Sequence, residues 1–229
     1  MSHVVAISPH LDDAAFSVGG LLAARARAGD RITILTCFTG NVARPTGFAL
    51  ACQLDKGLAP DVDYMALRRA EDRAACAVIG ADAIHLPLLE APHRGYASAP
   101  ELFGPRREED GMLGPLATTL DEHLQSLRPD LLLGPLAVGD HVDHWLVRDA
   151  LAAIGRPVLL WEDWPYLTRA TTRPAEPVRY QHPLDAADRA DRIAMCAAYT
   201  SQLGFQFGSL EAMTAAIGAV EAETLHAPG

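Results

Sequence analysis

Two short segments of the sequence carry histidine and aspartate side chains at close spacing. The first is Ser8-Pro9-His10-Leu11-Asp12-Asp13, and the second is Gly139-Asp140-His141-Val142-Asp143-His144. Imidazole and carboxylate groups are costly to bury together unless a cation or a paired network stabilises them. The two segments therefore predict a site that binds a cation, provided that the fold brings them together.

The residue types favour a hydrolytic zinc site. Such a site has three protein ligands, typically two histidines and one carboxylate, and keeps a fourth position open for water. His10, Asp13 and His144 supply this set. We therefore predict zinc as the cofactor and these three side chains as its ligands.

Three neighbouring residues are candidates for supporting roles. Asp12 is the candidate general base that takes a proton from the attacking water. His141 is a candidate acid or oxyanion stabiliser, because it lies three residues before His144. Asp143 could orient one of the histidines by accepting its other ring N–H, the usual arrangement around metal-binding imidazoles.

Segments typical of strands and of helices alternate along the chain. We predict strands at residues 4–8, 31–38, 83–88, 131–133 and 157–161, and helices at 13–28, 66–79, 113–127, 143–154, 185–199 and 210–223. This alternation predicts an α/β fold, a Rossmann-like three-layer sandwich with a mostly parallel sheet. Both histidine-rich segments come after strands, and ligands bind at the carboxyl ends of such strands. We therefore expect His10 and His144 to lie within a few ångström of one another.

Some segments lack a sustained period. Residues 39–63 and 89–111 come after the second and third strands and are candidate substrate loops, with surface elaboration as the alternative. A proline-rich stretch at 173–177 is expected to join a strand to the C-terminal part. We expect a single domain over 1–229, with a motif-bearing core at 1–165 and a C-terminal helical part at 178–229.

Composition limits the classes of partner. The chain has 229 residues and a formal net charge of -10, without a lysine and arginine stripe that could neutralise phosphates, so we expect no nucleic-acid partner. No apolar run approaches the roughly 18 residues that span a bilayer, and no signal peptide is evident. The four scattered cysteines lack C-x-x-C spacing. We expect a cytoplasmic protein with a small-molecule substrate and no membrane partner; homo-oligomerisation stays open.

At these residues the sequence resembles the PIG-L/LmbE-like family of zinc-dependent N-deacetylases. The family's two hallmark motifs correspond here to Pro9-His10-Leu11-Asp12-Asp13-Ala14 and His141-Val142-Asp143-His144, and its Arg-x-x-Glu helix to Arg68-Arg69-Ala70-Glu71. The resemblance implies a Rossmann-like fold and hydrolysis of an N-acetyl group on a glucosamine-type substrate. It also implies a metal held by His10, Asp13 and His144, with Asp12 as the base.

The sequence departs from the family pattern at several positions. Leu11, Ala14 and Val142 replace common motif residues, but none of the three is expected to bind metal. Many members carry an acidic residue in the loop after the second strand, where Asn41 is the nearest match here. Some members have an aromatic donor before the second motif, whereas this chain has Val138-Gly139-Asp140. The substrate is therefore less well determined than the reaction.

Besides Asn41, four residues are candidate substrate contacts. Arg68 could reach a substrate hydroxyl or phosphate, or form a salt bridge within its own helix. Glu162 and Asp163 end a strand beside two tryptophans, which suits either a sugar-binding wall or an ordinary structural role. Gln202 is a candidate contact for a substrate carbonyl.

Other functions are compatible with some of the same residues. A non-haem iron oxygenase also uses two histidines and a carboxylate, and His141-x-Asp143 has that spacing, but that class is usually built on all-β folds. A non-catalytic, metal-free binding module on the same fold is a second alternative. Among hydrolases, the alternatives are an amidase acting on a thiol conjugate and a deacylase of a secondary-metabolite intermediate. Zinc content and amine release from a substrate panel discriminate among them.

Overall fold

In the computed structural model, which describes residues 1–170 and 175–228, strands and helices alternate along most of the chain. The strands are β1 His3–Ser8, β2 Arg31–Thr36, β3 Asp82–His85, β4 Leu131–Pro135, β5 Leu159–Trp161, β6 Val178–Pro183 and β7 Ala222–His226. The helices are α1 Asp13–Arg27, α2 Gly47–Leu54, α3 Tyr64–Val78, α4 Ala99–Leu102, α5 Leu113–Leu127, α6 Val142–Ile154, α7 Ala186–Ala197, α8 Thr200–Phe207 and α9 Leu210–Gly218. Short 3₁₀ turns occupy Ala91–His93 and Tyr166–Thr168.

These strands form one mixed sheet in the order β3-β2-β1-β4-β5-β7-β6. The first five strands are parallel, and β7 and β6 pair antiparallel at one edge. Helices cover both faces, which confirms the predicted Rossmann-like three-layer α/β sandwich. Strands β1 and β4 are neighbours, so their carboxyl ends lie side by side. None of the described helices combines the length and apolar character that crossing a membrane requires.

Strand β1 shows why the sheet is buried on both faces. All six of its residues are buried, as expected for a central strand of a parallel sheet. Val4 and Ala6 pack into the apolar cluster beneath α1, α7 and α9, whereas Val5 and Ile7 pack into the cluster beneath α5 and α6. The strand's apolar run therefore serves two cores and fixes the position of the turn after it.

Helix α1 bends at Val18, where the backbone leaves helical geometry at φ -137° and ψ 20°. Beyond the bend, the Glu223 carboxylate accepts the backbone N–H groups of Gly20 and Leu21 at 2.9 and 2.7 Å. The buried Arg192 guanidinium lies 3.3 Å from the same carboxylate and donates to the carbonyl of Phe16. Glu223 thus caps the second half of α1 from strand β7, and Arg192 compensates its charge.

Replacing Glu223 with alanine is expected to lower the free energy of unfolding by about 3–5 kcal/mol, because the change leaves Arg192 buried without its partner. Urea denaturation at equilibrium measures the effect. The matched control is Glu221→Ala, since Glu221 is exposed two residues away and should change stability by no more than about 0.5 kcal/mol. Equal stability of the two variants would show that the buried cap contributes nothing.

The C-terminal part differs from the prediction. The sequence predicts a helical part over 178–229, but β6 and β7 lie within it, and the helix predicted at 210–223 ends at Gly218. The buried polar residue Glu223 interrupts the apolar pattern of β7 because its carboxylate caps α1, so sequence periodicity does not reveal a strand there. Residues 173 and 174 of the predicted connecting stretch lie outside the described residues.

Smaller differences occur in the first half of the chain. The third strand ends at His85 and not at residue 88, because Pro87 lacks the N–H group that would continue the ladder. Within the predicted loop at 39–63 the structure contains α2, and within 89–111 it contains a 3₁₀ turn and α4. Both loops are therefore partly ordered into short helices near the carboxyl edge of the sheet.

Candidate active site

The two histidine-rich segments meet at the carboxyl edge of the sheet. His10 lies in the turn between β1 and α1, and His144 lies in the first turn of α6, after β4. Their ring centroids are 5.4 Å apart. Ser8 stabilises the first turn, since its hydroxyl donates to the carbonyl of His10 at 2.7 Å and accepts the N–H of Ala14 at 3.2 Å. The close approach expected from the strand positions is therefore observed.

Three ligand-type atoms converge on one buried point. Asp13 Oδ2 lies 3.4 Å from His10 Nδ1 and 3.3 Å from His144 Nε2. All three side chains are buried, and His144 Nε2 has no hydrogen-bond partner although it is inaccessible to solvent. A buried ring nitrogen without a partner is costly. A cation held by these three atoms would remove that cost, so the residues present fit a metal ion.

His10 and His144 are each hydrogen-bonded to a further carboxylate, on the side of the ring away from Asp13. Asp143 Oδ2 accepts from His10 Nε2 at 2.9 Å, and Asp163 Oδ1 accepts from His144 Nδ1 at 2.8 Å. The outward ring nitrogens are thereby occupied, and the inward nitrogens face Asp13. This carboxylate–histidine arrangement is typical of metal sites, where it fixes the tautomer and the ring orientation.

His10, His141 and Asp143 form a second group with metal-ligand geometry. Most of its ligand-type atoms already have partners in the protein, however. Asp143 accepts from Arg94 Nη2 at 2.7 Å and from the backbone N–H of Ala91 at 3.1 Å, and His141 Nδ1 accepts the N–H of Asp143 at 3.2 Å. The group around Asp13 is the better metal site, because it contains the nitrogen that lacks a partner.

The electrostatic field at this point favours positive charge. Burial opposes charge on His10, but Asp13 and Asp143 outweigh it and raise its pKa to about 9. Burial likewise opposes charge on His144, yet Asp13 and Asp163 raise its pKa well above the usual range. A field that retains protons on two buried imidazoles also attracts a divalent cation, whose binding displaces those protons.

Asp12 is buried beside the group formed by His10, Asp13 and His144 but has different contacts. Its Oδ1 lies 3.0 Å from Arg68 Nη2, and the same guanidinium contacts Glu90 at 2.7 Å. Burial raises the pKa of Asp12 to about 6, against the opposing charge of Arg68. A carboxylate with a pKa near neutrality can accept and release a proton, as general base catalysis requires.

His141 is held as a neutral hydrogen-bond donor. Because its Nδ1 accepts the N–H of Asp143, the neutral ring carries its proton on Nε2. Burial, and after it the charge of His10, lowers the pKa of His141 well below the usual range. The ring lies edge-on to that of His10, with 4.9 Å between centroids.

A cavity of about 200 Å³ opens onto these groups. Of the predicted substrate contacts, Arg68 and Gln202 line it. Asn41 is exposed and donates to Asp63 at 2.7 Å, and Glu162 lies 3.2 Å from His226. The cavity is also lined by residues that the sequence analysis did not identify as site residues. Among them are Phe48, Lys56, Tyr64, Glu90, Phe103, Tyr166 and Phe205.

Comparison with known proteins agrees with this geometry. Residues 5–154 match the family model described as PIG-L, GlcNAc-PI de-N-acetylase. The chain belongs to the PIG-L family. The matched range begins in β1 and ends with α6, so it contains both histidine-rich segments.

Several PIG-L relatives are deacetylases by name. The 2'-N-acetylparomamine deacetylase of Streptomyces fradiae is 38% identical over 165 residues, which cover 70% of this chain and 56% of the relative. The chain thus spans about half the length of the curated relatives it matches. The zinc-inhibited form of teicoplanin deacetylase Orf2 is 26% identical with a TM-score of 0.81, covering 98% of this chain and 97% of that one. The A40926 pseudoaglycone deacetylase Dbv21 is 28% identical with a TM-score of 0.80, covering 99% and 96%.

One departure from the PIG-L pattern has a structural explanation. Gly139 lies in the segment Val138-Gly139-Asp140, which lacks the aromatic donor expected just before the second motif, and its φ is +90°. A Cβ atom at this position would lie 2.7 Å from Cβ of Tyr166. The glycine therefore makes room for Tyr166, whose ring packs edge-on to His144 with 5.3 Å between centroids. The sequence analysis did not single out Tyr166, because its position in the wall depends on the space that Gly139 leaves.

The position of Asp163 corrects its predicted role as a substrate contact. Its side chain is fully buried, accepts the N–H of Val138 at 2.8 Å and supports His144 from behind. Strand β5 lies next to β4 in the sheet. Asp163, two positions after the end of β5, therefore reaches the ring of His144, which comes after β4. Burial behind the ring leaves it no access to a substrate.

Asp163→Asn is expected to weaken metal binding by about 10- to 100-fold, because the neutral amide supports the imidazole of His144 less well than a carboxylate does. Zinc titration against a competing chelator measures the change. Glu162→Gln is the control, since Glu162 contacts His226 and neither His10 nor His144. Unchanged zinc affinity in the Asp163 variant would contradict the supporting role.

Proposed function

We propose that this chain is a zinc-dependent hydrolase that removes an N-acyl group, in the first place N-acetyl, from a small amino-sugar-like or glycosylated metabolite. The observation that carries the proposal is the buried point between His10 Nδ1, Asp13 Oδ2 and His144 Nε2, with the Asp12 carboxylate beside it. Family membership and relatives named as deacetylases of amino-sugar substrates support the same reaction.

Zinc is the proposed metal because two imidazoles and one carboxylate are the donor set of hydrolytic zinc sites. When bound by His10, Asp13 and His144, zinc would supply Lewis acidity that lowers the pKa of water and polarises the amide carbonyl. Asp143 and Asp163 would keep the two rings aligned through their outward nitrogens.

The remaining steps belong to the chain's own residues. Asp12 takes a proton from the attacking water and delivers it to the departing amine nitrogen, so that amide and water become amine and carboxylic acid. Arg68 holds Asp12 in position through the contact at 3.0 Å. His141 donates a hydrogen bond from its Nε2–H group to the carbonyl oxygen as negative charge develops there, and keeps its proton. A neutral donor suits this role because it needs no change of charge.

The cavity supports a small polar substrate with one sugar ring at the reacting position. Polar groups from Arg68, Glu90 and Gln202 line the space together with aromatic rings, which include those of Phe48, Phe103 and Tyr166. Arg68 and Gln202 remain proposed substrate contacts. Asn41 and Glu162, which lie outside this lining, are proposed only if a larger substrate reaches their loops.

The amino-acid composition supports a proposal about where the protein acts and which partners it has. We infer a cytoplasmic enzyme that acts on small molecules without a nucleic-acid or membrane partner. Its net charge of -10 disfavours polyanions, and all four cysteines are free thiols. We also propose that residues 1–229 form one domain, because β7 from the C-terminal part lies within the same sheet as β1 to β5.

A panel assay tests the function. Purified protein carrying one equivalent of zinc is incubated with N-acetylated amino sugars, N-acetyl glycosides and acylated thiol conjugates, and released amine and acetate are quantified. We expect release from at least one N-acetyl glucosaminide, with Asp12→Asn protein as the blank for contaminating activity. Release from the thiol conjugates alone would favour the amidase alternative, and zinc-free protein that binds a glycoside without cleaving it would favour a binding module.

A further inference from the structure

Residues 89–111, here called the wall segment, form one side of the catalytic cavity. Pro92, Leu102 and Phe103 from this segment line the cavity. Beneath the segment, Leu102 and Tyr96 belong to a small apolar cluster that is separate from the two clusters covering the sheet. So few apolar side chains bury little surface, so the position of the wall segment depends on its polar contacts.

Arg94 connects the two ends of the wall segment from inside. Its Nε and Nη2 atoms donate to the two carboxylate oxygens of Asp110 at 3.2 and 3.0 Å, and its Nη1 donates to the carbonyl of Leu89 at 2.6 Å. The hydroxyl of Tyr96 donates to Asp110 at 2.9 Å. Both charged side chains are buried. The guanidinium therefore joins the beginning of the wall segment to its end through a bidentate ion pair.

The same guanidinium reaches the support of the metal site. Arg94 Nη2 donates to Asp143 Oδ1 at 2.7 Å, while Asp143 Oδ2 accepts from the backbone N–H of Ala91 at 3.1 Å and from His10 Nε2 at 2.9 Å. The ring centroid of Phe38 lies 4.9 Å from the Arg94 guanidinium and 6.1 Å from the centroid of the His10 imidazole. Two residues of the wall segment thus hold the carboxylate that fixes the ring of His10.

The type of residue at position 94 matters for this arrangement. A planar guanidinium can bond to two carboxylates and a carbonyl at the same time, whereas the ammonium group of lysine is a point charge on a flexible stem. Removing the cation altogether would leave Asp110 and Asp143 buried without compensation. A shift of the wall segment therefore moves Arg94, and a shift of Arg94 releases Asp143.

We propose that Arg94 is a positioning residue of the reaction, which together with Asp110 holds Asp143 against His10 and so couples the wall segment to the metal site. The inference rests on the proposed function, in which His10 is a zinc ligand. Arg94 acts through Asp143 and not on the substrate. The coupling is reciprocal, because a wall segment that strengthens zinc binding is itself stabilised by zinc to the same extent.

Arg94→Lys and Asp110→Asn test the effect on zinc. Lysine keeps a cation near Asp143 but cannot bridge both carboxylates, and Asp110→Asn removes the bidentate partner of Arg94 while leaving the residues of the metal site unchanged. We expect each variant to bind zinc about five- to tenfold more weakly, somewhat less than the loss of a direct partner of a metal-bound histidine. Competition with a chelator measures the affinity, and circular dichroism establishes that each variant is folded.

Arg107→Lys is the matched control. Arg107 also lies in the wall segment, but it is exposed and pairs with Glu101 at 3.4 Å. This variant should bind zinc as the unmodified protein does. Asp110→Asn removes a charge but not the size of the side chain, so it decides the question if Arg94→Lys does not fold.

Amide hydrogen exchange tests the reciprocal effect without a substrate. Zinc added to the metal-free protein should slow exchange in the wall segment about five- to tenfold, the same factor by which the variants lose zinc affinity. The Arg107→Lys protein should behave in the same way. In Arg94→Lys and Asp110→Asn, zinc should change exchange in the wall segment by less than about twofold, because the connection to Asp143 is lost.

The outcomes separate the positioning role from the reaction. Unchanged zinc affinity, or unchanged zinc-dependent exchange, in both Arg94→Lys and Asp110→Asn would overturn the proposal while leaving the deacetylase intact. Equal losses in Arg107→Lys would also overturn it, since any change in the wall segment would then have the same effect. If the protein binds zinc but cleaves no substrate of the panel, the proposed function fails, whereas losses confined to the two variants still support the role of Arg94.

Discussion

Replacing Asp12 with asparagine is expected to lower kcat by about 10²- to 10⁴-fold while zinc stays bound, because general base assistance is worth about that much. Asparagine preserves the size of the side chain and its contact with Arg68 but cannot accept the proton from water. Initial rates of acetate release and the zinc content of the same preparation measure the two halves of this expectation.

Asp13→Asn is the matched comparison. Asp13 adjoins Asp12 in the chain, but its Oδ2 faces the imidazoles of both His10 and His144. A neutral amide in place of this carboxylate should weaken zinc binding, so that added zinc partly restores activity. Added zinc should leave the Asp12 variant unchanged. Full activity of zinc-loaded Asp12→Asn protein would show that Asp12 is not the base and would move that role to His141.

Loss of zinc is the second large effect that the geometry predicts. Protein as purified should hold about one zinc per chain, and His10→Ala or His144→Ala should remove nearly all of it, since a site of three protein ligands loses most of its affinity with one of them. Elemental analysis after dialysis measures the content. Circular dichroism of each variant establishes that the loss does not reflect unfolding.

His123→Ala is the control for the metal analysis. His123 lies on α5, where its Nδ1 bonds to the carbonyl of Thr119 at 2.9 Å and no acidic partner faces it among the described residues. This variant should retain the zinc of the unmodified protein. Full zinc occupancy in both the His10 and His144 variants would refute the ligand assignment, whatever the activity of the protein.

The sequence predicted the meeting of His10 and His144 because each comes after a parallel strand. Residues 4–7 of β1 and 131–133 of β4 are apolar runs, and these neighbouring parallel strands end at the same edge of the sheet, where the histidine-rich segments follow them. The chemistry at that edge is then set by residue type. The α/β architecture and the cluster of ligand-type residues could therefore both be predicted from local sequence patterns.

Contacts between segments that are distant in the sequence could not be predicted in the same way. Asp163 reaches His144 only because β5 lies beside β4, and its carboxylate looked like a substrate contact in the sequence. Glu223 interrupts the apolar pattern of β7, and its carboxylate caps α1, a contact that the local sequence does not show. Tyr166 enters the cavity wall through the space left by Gly139. Each of these depends on tertiary packing, which local periodicity does not encode.

The most direct test of the account is acetate release from an N-acetyl glucosaminide by the same protein before and after zinc is restored. Metal is first removed with a chelator, and zinc is then added to one equivalent and not beyond, since a zinc-inhibited form of a relative is known. We predict negligible release by the metal-free protein and recovery that saturates at about one zinc per chain. Hydrolysis by the metal-free protein at the full rate would contradict the central claim that His10, Asp13 and His144 hold the metal that the reaction requires.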